Sequence, residues 1–418
     1  MFKKLLSNQL ILDNLILFFA FNLGNFLGFL YHFLVGRWLG PANYGLLGSL
    51  LSILTLLAIF YYALQNNIAK QVSELSISKN YKAINLLFKF FLKRFILYGF
   101  FLMVIFLLFS GLIADYLNIH IFYIYLMGLF FIVLFLLALV RGILQGLQWF
   151  KYLGLNYIFE GFIKLFSVVI FFFLGFNVFG AVFAVFLSNL LPIILGILIL
   201  NKLFKKGYSN SINFSVFDSF SFVFMLFSLT AFYTLDVFMI KHYFSLEEAG
   251  YYIALTVLGK IILAGSLSIS QVMIPKLSLK PVKEAKLLLL KSLGMILIFL
   301  LPVLIFYFLF PNLILTLFYG STFLPIANLL GLYCIFISFN ALLLALGYFL
   351  VIMNKSKILF ILFLFNILEI FLIYFRHNSL KNVISNLVIL ISILFVILFI
   401  YTMRLKNENN DCLSPIKE

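Results

Sequence analysis

The side chains able to do chemistry are few, and most stand inside long apolar runs. Asn156, Glu160, Lys164 and Ser167 recur at three- and four-residue intervals. At about 100° per residue they fall within roughly an 80° arc, which makes one polar stripe on a helix face. A carboxylate and an ammonium four residues apart can neutralise each other and simply help pack a bundle. The same stripe can equally line a polar path, and the spacing fits both. Thr256, Lys260 and Gln271 share roughly a 60° arc on another run by the same geometry. Lys260 has no acidic residue one turn away on its own helix. Its partner must therefore come from another helix, from water or from a cargo, because a charge at the bilayer centre costs about 2.5–3.5 kcal/mol.

Asn22, Asn25 and His32 lie on a comparable arc, beside Gly24 and Gly28 in a GxxxG spacing that reads as a packing face. Two further carboxylates stand in apolar runs. Asp236 has Lys241 five residues on, and that lysine or Lys260 could pair with it, whereas Glu369 has no local basic partner. A desolvated carboxylate can hold a proton or a sodium ion, so both are coupling-ion candidates, with structural hydrogen bonding as the competing role. No Walker loop, HExxH, Gly-x-Ser-x-Gly or paired acidic nucleotide-sugar motif occurs. Cys334 and Cys412 have no metal-ligand spacing. Neither a metal, a cofactor nor covalent catalysis is expected.

The elements that must position these residues follow from composition. Of the 418 residues, 65% are hydrophobic and only 10% charged, with a mean hydropathy of +1.20. A soluble domain keeps roughly 25% charged residues, so lipid is the solvent of this chain. Its apolar runs are continuous rather than alternating, which selects helices over a β-barrel. At about 20 residues per span the chain accommodates roughly twelve helices and no sizeable extramembrane domain. Polar breaks place spans at 11–36, 44–64, 92–113, 121–145, 154–175, 178–200, 217–241, 249–273, 288–310, 323–352, 357–375 and 381–403, the run 323–352 being long enough to tilt or break. The first span reads as uncleaved, since no small-residue cleavage site follows it.

A net charge of +16 invites a nucleic-acid partner, but no such module fits between the spans, and basic residues near membrane ends set topology instead. Of the 29 Lys and Arg residues, 23 fall at the end shared by both termini, Arg141 among them. Four (Arg37, Lys241, Arg376 and Lys381) fall at the other, and Lys164 and Lys260 lie within spans. The bias places both termini in the cytoplasm of a multi-pass cell-membrane protein.

The turn GRWLGPANYGLL at 36–47 is echoed by KHYFSLEEAGYY at 241–252, and a shift of 205 residues superposes Gly45 on Gly250 and Leu39 on Phe244. Two six-helix halves related by an axis along the membrane normal are expected, as in several transporters. They are an N-terminal lobe at 1–200 and a C-terminal lobe at 217–403, joined by a cytoplasmic linker at 201–216 and followed by a polar tail at 404–418. A cleft between halves that rock against each other is the natural place for cargo.

The stretch RWLGPANYGLL at 37–47 resembles the LGPxxYG turn of polysaccharide-exporting flippases in the multidrug/oligosaccharidyl-lipid/polysaccharide exporter superfamily. So do 236–262 with QVMIPKLS at 271–278, and YGSTFLPIANLLGLY at 319–333 is similar to their YGxxFxPAxxLL segment. The resemblance implies an all-α fold of twelve helices in two lobes around a central cavity that opens alternately to either side. Its implied cargo is a polyprenyl diphosphate carrying an oligosaccharide, with membrane lipids and glycan-assembly enzymes as partners and H+ or Na+ as coupling ion. The cationic cavity of the family points to Lys164 and Lys260, with Glu160, Asn22, Asn25, His32, Thr256 and Gln271 beside them. None of the five arginines is expected in that cavity. A cation-coupled multidrug exporter of the same fold is the alternative, which an anionic cavity would favour. An enzyme polymerising or ligating lipid-linked glycans would need a long outer loop, and a purely structural membrane protein would leave the two lysines without a role.

Overall fold

The computed structural model describes residues 9–78, 80–204, 220–277, 281–353 and 355–405. Most of the expected linker at 201–216 and tail at 404–418, with Lys3, Lys4 and Cys412, lie outside the described residues. The described chain is helical: α1 Gln9–Ile77, α2 Tyr81–Leu108, α3 Ser110–Leu117, α4 Ile121–Gly146, α5 Phe150–Phe173, α6 Asn177–Phe204 and α7 Phe220–Tyr243. These are followed by α8 Leu246–Leu277, α9 Val282–Leu309, α10 Pro311–Phe318, α11 Ala327–Ile352, α12 Phe360–Phe375 and α13 Leu380–Arg404. Among the described residues eleven helices are long and apolar enough to cross a membrane. The first, within α1, divides at Gly40, whose φ of 68° and ψ of 175° are not helical and which precedes Pro41. Glycine tolerates that positive φ, and proline supplies no amide hydrogen to carry a helix through. Counting α1 as two gives the twelve spans expected.

Helix ends depart from expectation where cations lie inside helices. α2 begins at Tyr81 rather than 92, because the Asn80 side chain caps it by accepting from the Ala83 amide at 3.1 Å. Lys82, Lys89, Lys93 and Arg94 then extend from helix rather than loop, which long aliphatic stems permit. α9 likewise starts at Val282 instead of 288, after Pro281. The run 323–352 is broken, a 3₁₀ turn at Ser321–Ile326 containing Pro325 preceding α11.

The chain forms two compact units. Unit 1 comprises residues 1–223 together with 234–254 and 315–324, and unit 2 comprises 224–233, 255–314 and 325–418. In unit 1, Leu64 and Ile68 of α1, Phe91 and Phe95 of α2 and Val140 and Ile143 of α4 form one buried cluster. Gly24 of α1 faces α5, where an added Cβ would stand 3.0 Å from the Tyr157 carbonyl oxygen, while nothing approaches Gly28 within 4 Å. The GxxxG spacing thus packs through one of its two glycines. In unit 2, α11 is the buried centre, with Leu330, Phe336 and Ile337 inaccessible and α9 and α13 against it. The Asn340 side chain donates to the Leu229 carbonyl at 3.2 Å, and Asn366 of α12 donates to that of Ser228 at 3.0 Å. Such bonds matter in lipid, where no solvent satisfies a backbone carbonyl. Cys334 is buried and in no disulfide, an apolar filler.

Candidate functional site

The polar stripe of α5 is the anchor of a larger cluster within unit 1. Glu160 stands between two cations: its Oε2 lies 2.8 Å from Arg141 Nη2 and its Oε1 lies 3.5 Å from Lys164 Nζ. Arg141 is the residue that the sequence did not place. It was counted with the cytoplasmic end of the span 121–145, with no arginine expected at the site, yet it is 2% exposed among packed helices. α4 runs to Gly146 and carries Arg141 into the packed interface with α1 and α5.

Every part of the guanidinium is held. Its Nε donates to Asn156 Oδ1 at 2.7 Å, Nη1 to the Tyr61 hydroxyl at 3.1 Å, and Nη2 also to the Asn156 carbonyl at 3.4 Å. Its carbon sits 4.1 Å from the Tyr157 ring centroid, a cation–π contact. Asn156 is in turn fixed by donating to the Pro192 carbonyl of α6 at 2.8 Å. Beyond Tyr157 a chain of amides continues: Gln65 Nε2 donates to the Tyr157 hydroxyl at 3.2 Å and to Gln145 Oε1 at 2.8 Å. Two cations share one carboxylate, so the trio carries one net positive charge. Ser167, at the end of the stripe, is buried.

Among the other expected residues of unit 1, Asn22 is exposed and Asn25 half-buried. His32 points the other way, its Nδ1 3.2 Å from the Tyr44 hydroxyl, which lies 3.2 Å from the Tyr319 hydroxyl. Asp236 is inaccessible and does not pair with Lys241. Its carboxylate accepts from the Tyr252 hydroxyl at 2.6 Å and from the Val237 amide at 2.6 Å. Lys241, expected at the outer end of its span, is in the last turn of α7 and buried, and its ammonium has no hydrogen-bond partner among the described residues.

Unit 2 holds the remaining candidates. Lys260 is half-buried, its ammonium 5.7 Å from the Tyr233 ring centroid. Thr256, one turn away, accepts from the Tyr333 hydroxyl at 3.2 Å. Glu369 is fully buried on α12, one turn beyond Asn366. Gln271 belongs to α8, with its side chain outside the described residues. Residues Gln65, Gln145, Tyr61 and Tyr157 were not singled out in the sequence. A signal for the amides existed in the run QNN at 65–67, which interrupts an apolar stretch.

No curated protein sequence matches the chain. Its fold is shared with solved transporters. An inward-facing multidrug resistance MATE family transporter of the MOP superfamily superposes with a TM-score of 0.73 at 13% identity, covering 90% of this chain and 93% of the other. The lipid II flippase MurJ in an inward closed conformation superposes with a TM-score of 0.67 at 18% identity, covering 94% and 87%. A MOP superfamily transporter from Pyrococcus furiosus, described as having a binding pocket of reversed polarity, gives 0.54 at 14% identity, covering 94% of each. The sequence profile described as polysaccharide biosynthesis protein matches residues 11–279. This multi-pass helical membrane chain, with the fold of MOP-superfamily transporters, therefore belongs to the polysaccharide biosynthesis protein family.

Proposed function

We propose that the protein is a flippase that carries a polyprenyl-diphosphate-linked oligosaccharide across the cell membrane by alternating access, without covalent chemistry. The observation that carries this reading is the net positive charge of the Arg141–Glu160–Lys164 trio inside apolar spans. A fixed positive charge in lipid is costly, and an anionic cargo that arrives and leaves gives it a purpose. A diphosphate is the anionic part of such a cargo, and lysine meets it as a compact charge with three donors. Lys260 supplies a second ammonium in unit 2. The amide and tyrosine groups of Gln65, Gln145 and Tyr157 offer donors and acceptors of the kind sugar hydroxyls use.

Asp236 and Glu369 are assigned to the coupling ion, H+ or Na+, since each is a carboxylate kept from water. A cation-coupled exporter of small molecules is the second reading, favoured by the likeness to a multidrug transporter. One experiment separates the two: glycan export in a strain lacking its own flippase, measured beside efflux of cationic dyes. Restored export without efflux supports the flippase, and efflux without export overturns it.

A further inference from the structure

We propose that Arg141 is a positioning residue. By engaging Glu160 it leaves the Lys164 ammonium available to the cargo diphosphate, an inference that rests on the flippase reading for the identity of the anion. The geometry divides the trio unequally. Arg141 is 3% exposed in its side chain, and its Nε and both terminal nitrogens are engaged by Asn156, Tyr61 and Glu160. It cannot reach a ligand without breaking that set. Lys164 is 20% exposed and 3.5 Å from the carboxylate, longer than the 2.7–2.9 Å or so of a charge-assisted bond. Glu160 is thus spoken for by the arginine, and the lysine, on the same stripe one turn away, is the cation with room to change partners.

The charge tally makes this specific. With all three present the trio is +1. Without Arg141 the only remaining partner in the trio for Glu160 is Lys164, at the favourable i,i+4 spacing, and the pair sums to zero. Removing Arg141 and Glu160 together returns the charge to +1, carried by Lys164 alone. A residue that merely braces α4 against α5 shows no such rescue: losing both groups then damages the site at least as much as losing one.

The test uses the purified full chain in detergent, with thermal unfolding recorded for each variant. The first readout is the rate at which an amine-reactive reagent modifies Lys164, followed by mass spectrometry, which needs no cargo. Arg141→Met is expected to slow modification at least threefold, Arg141→Met with Glu160→Gln to restore it to within about twofold of wild type, and Glu160→Gln alone to leave it equal or faster. Should Arg141→Met fail to fold, the Glu160→Gln and double variants still decide, because slowed modification in either, in folded protein, overturns the positioning role. The second readout is binding of undecaprenyl diphosphate, with undecaprenol as the uncharged control, and it should follow the same order. If the first readout follows the pattern while wild type binds no undecaprenyl diphosphate, the positioning stands and the cargo assignment falls. If the first fails, the positioning is wrong whatever binds.

Discussion

Gly45 and Gly250 meet backbone to backbone within unit 1: a Cβ on Gly45 would lie 2.7 Å from the Gly250 amide nitrogen and 2.8 Å from the Leu246 carbonyl oxygen. One on Gly250 would lie 1.8 Å from the Pro41 carbonyl oxygen. These are the two glycines that the 205-residue shift superposes. A contact of this kind leaves no space for any side chain. Gly250→Ala is therefore expected to cost about 1–3 kcal/mol through overpacking and to lower the midpoint of thermal unfolding in detergent. Gly28→Ala, with nothing within 4 Å, should leave it unchanged or raise it. Equal midpoints for the two variants would remove the contact from the fold's essentials.

A cut in the expected linker at 201–216 should yield two fragments that still assemble. Residues 234–254 and 315–324 pack within unit 1, where Arg37 donates to the Thr316 and Leu317 carbonyls at 2.8 and 2.6 Å. An affinity tag on a 1–210 fragment should retain a co-expressed 211–418 fragment through purification. Recovery of the tagged half alone would argue against an interface of this strength.

Orientation is tested by labelling. Single cysteines at 76–82 and 280–284 lie at the basic end of the spans and should be shielded from an impermeant thiol reagent in intact cells, while cysteines at 320–322 should react. The motive is the 23-to-4 distribution of Lys and Arg. The opposite pattern would invert the topology, and with it the direction of transport.

Lys260 is expected to be needed for export. Lys260→Ala or Gln should abolish glycan export with membrane insertion intact, and Lys260→Arg should keep part of the activity, since charge persists while geometry changes. Protein level is measured alongside. Wild-type export by the Ala variant would falsify the assignment.

Hydropathy made the twelve spans legible, because an unbroken apolar run has one physical destination. The cut at Gly40–Pro41 was equally plain, both residues acting through their own backbone. Lys164 and Glu160 announced themselves by helical spacing. Arg141 did not, since its partners Asn156 and Glu160 are 15 and 19 residues away on another helix, and Tyr61 is 80 away. A position near the end of an apolar run tells depth, not company. Lysines at 82 and 89 misled in the opposite sense: a residue-by-residue hydropathy count treats them as loop, whereas they stand exposed on the helix itself. Which candidates share a unit is likewise a property of packing between distant segments, and no local pattern encodes it.

The length of α2 has a bearing on where the protein can live. Its 28 residues span about 42 Å at 1.5 Å each, against a hydrocarbon layer of about 30 Å. The surplus of roughly two helical turns lies at the end bearing Lys82, Lys89, Lys93 and Arg94. Those turns are already amphipathic, so a bilayer a few ångströms thicker can rise along them while the ammonium groups stay among the headgroups. A thinner one merely uncovers them. Each ångström of mismatch costs a fraction of a kcal/mol when a helix must tilt or the bilayer must deform, and α2 is built to do neither. This one helix is thereby matched to a range of hydrocarbon thicknesses that would strain a helix cut to fit.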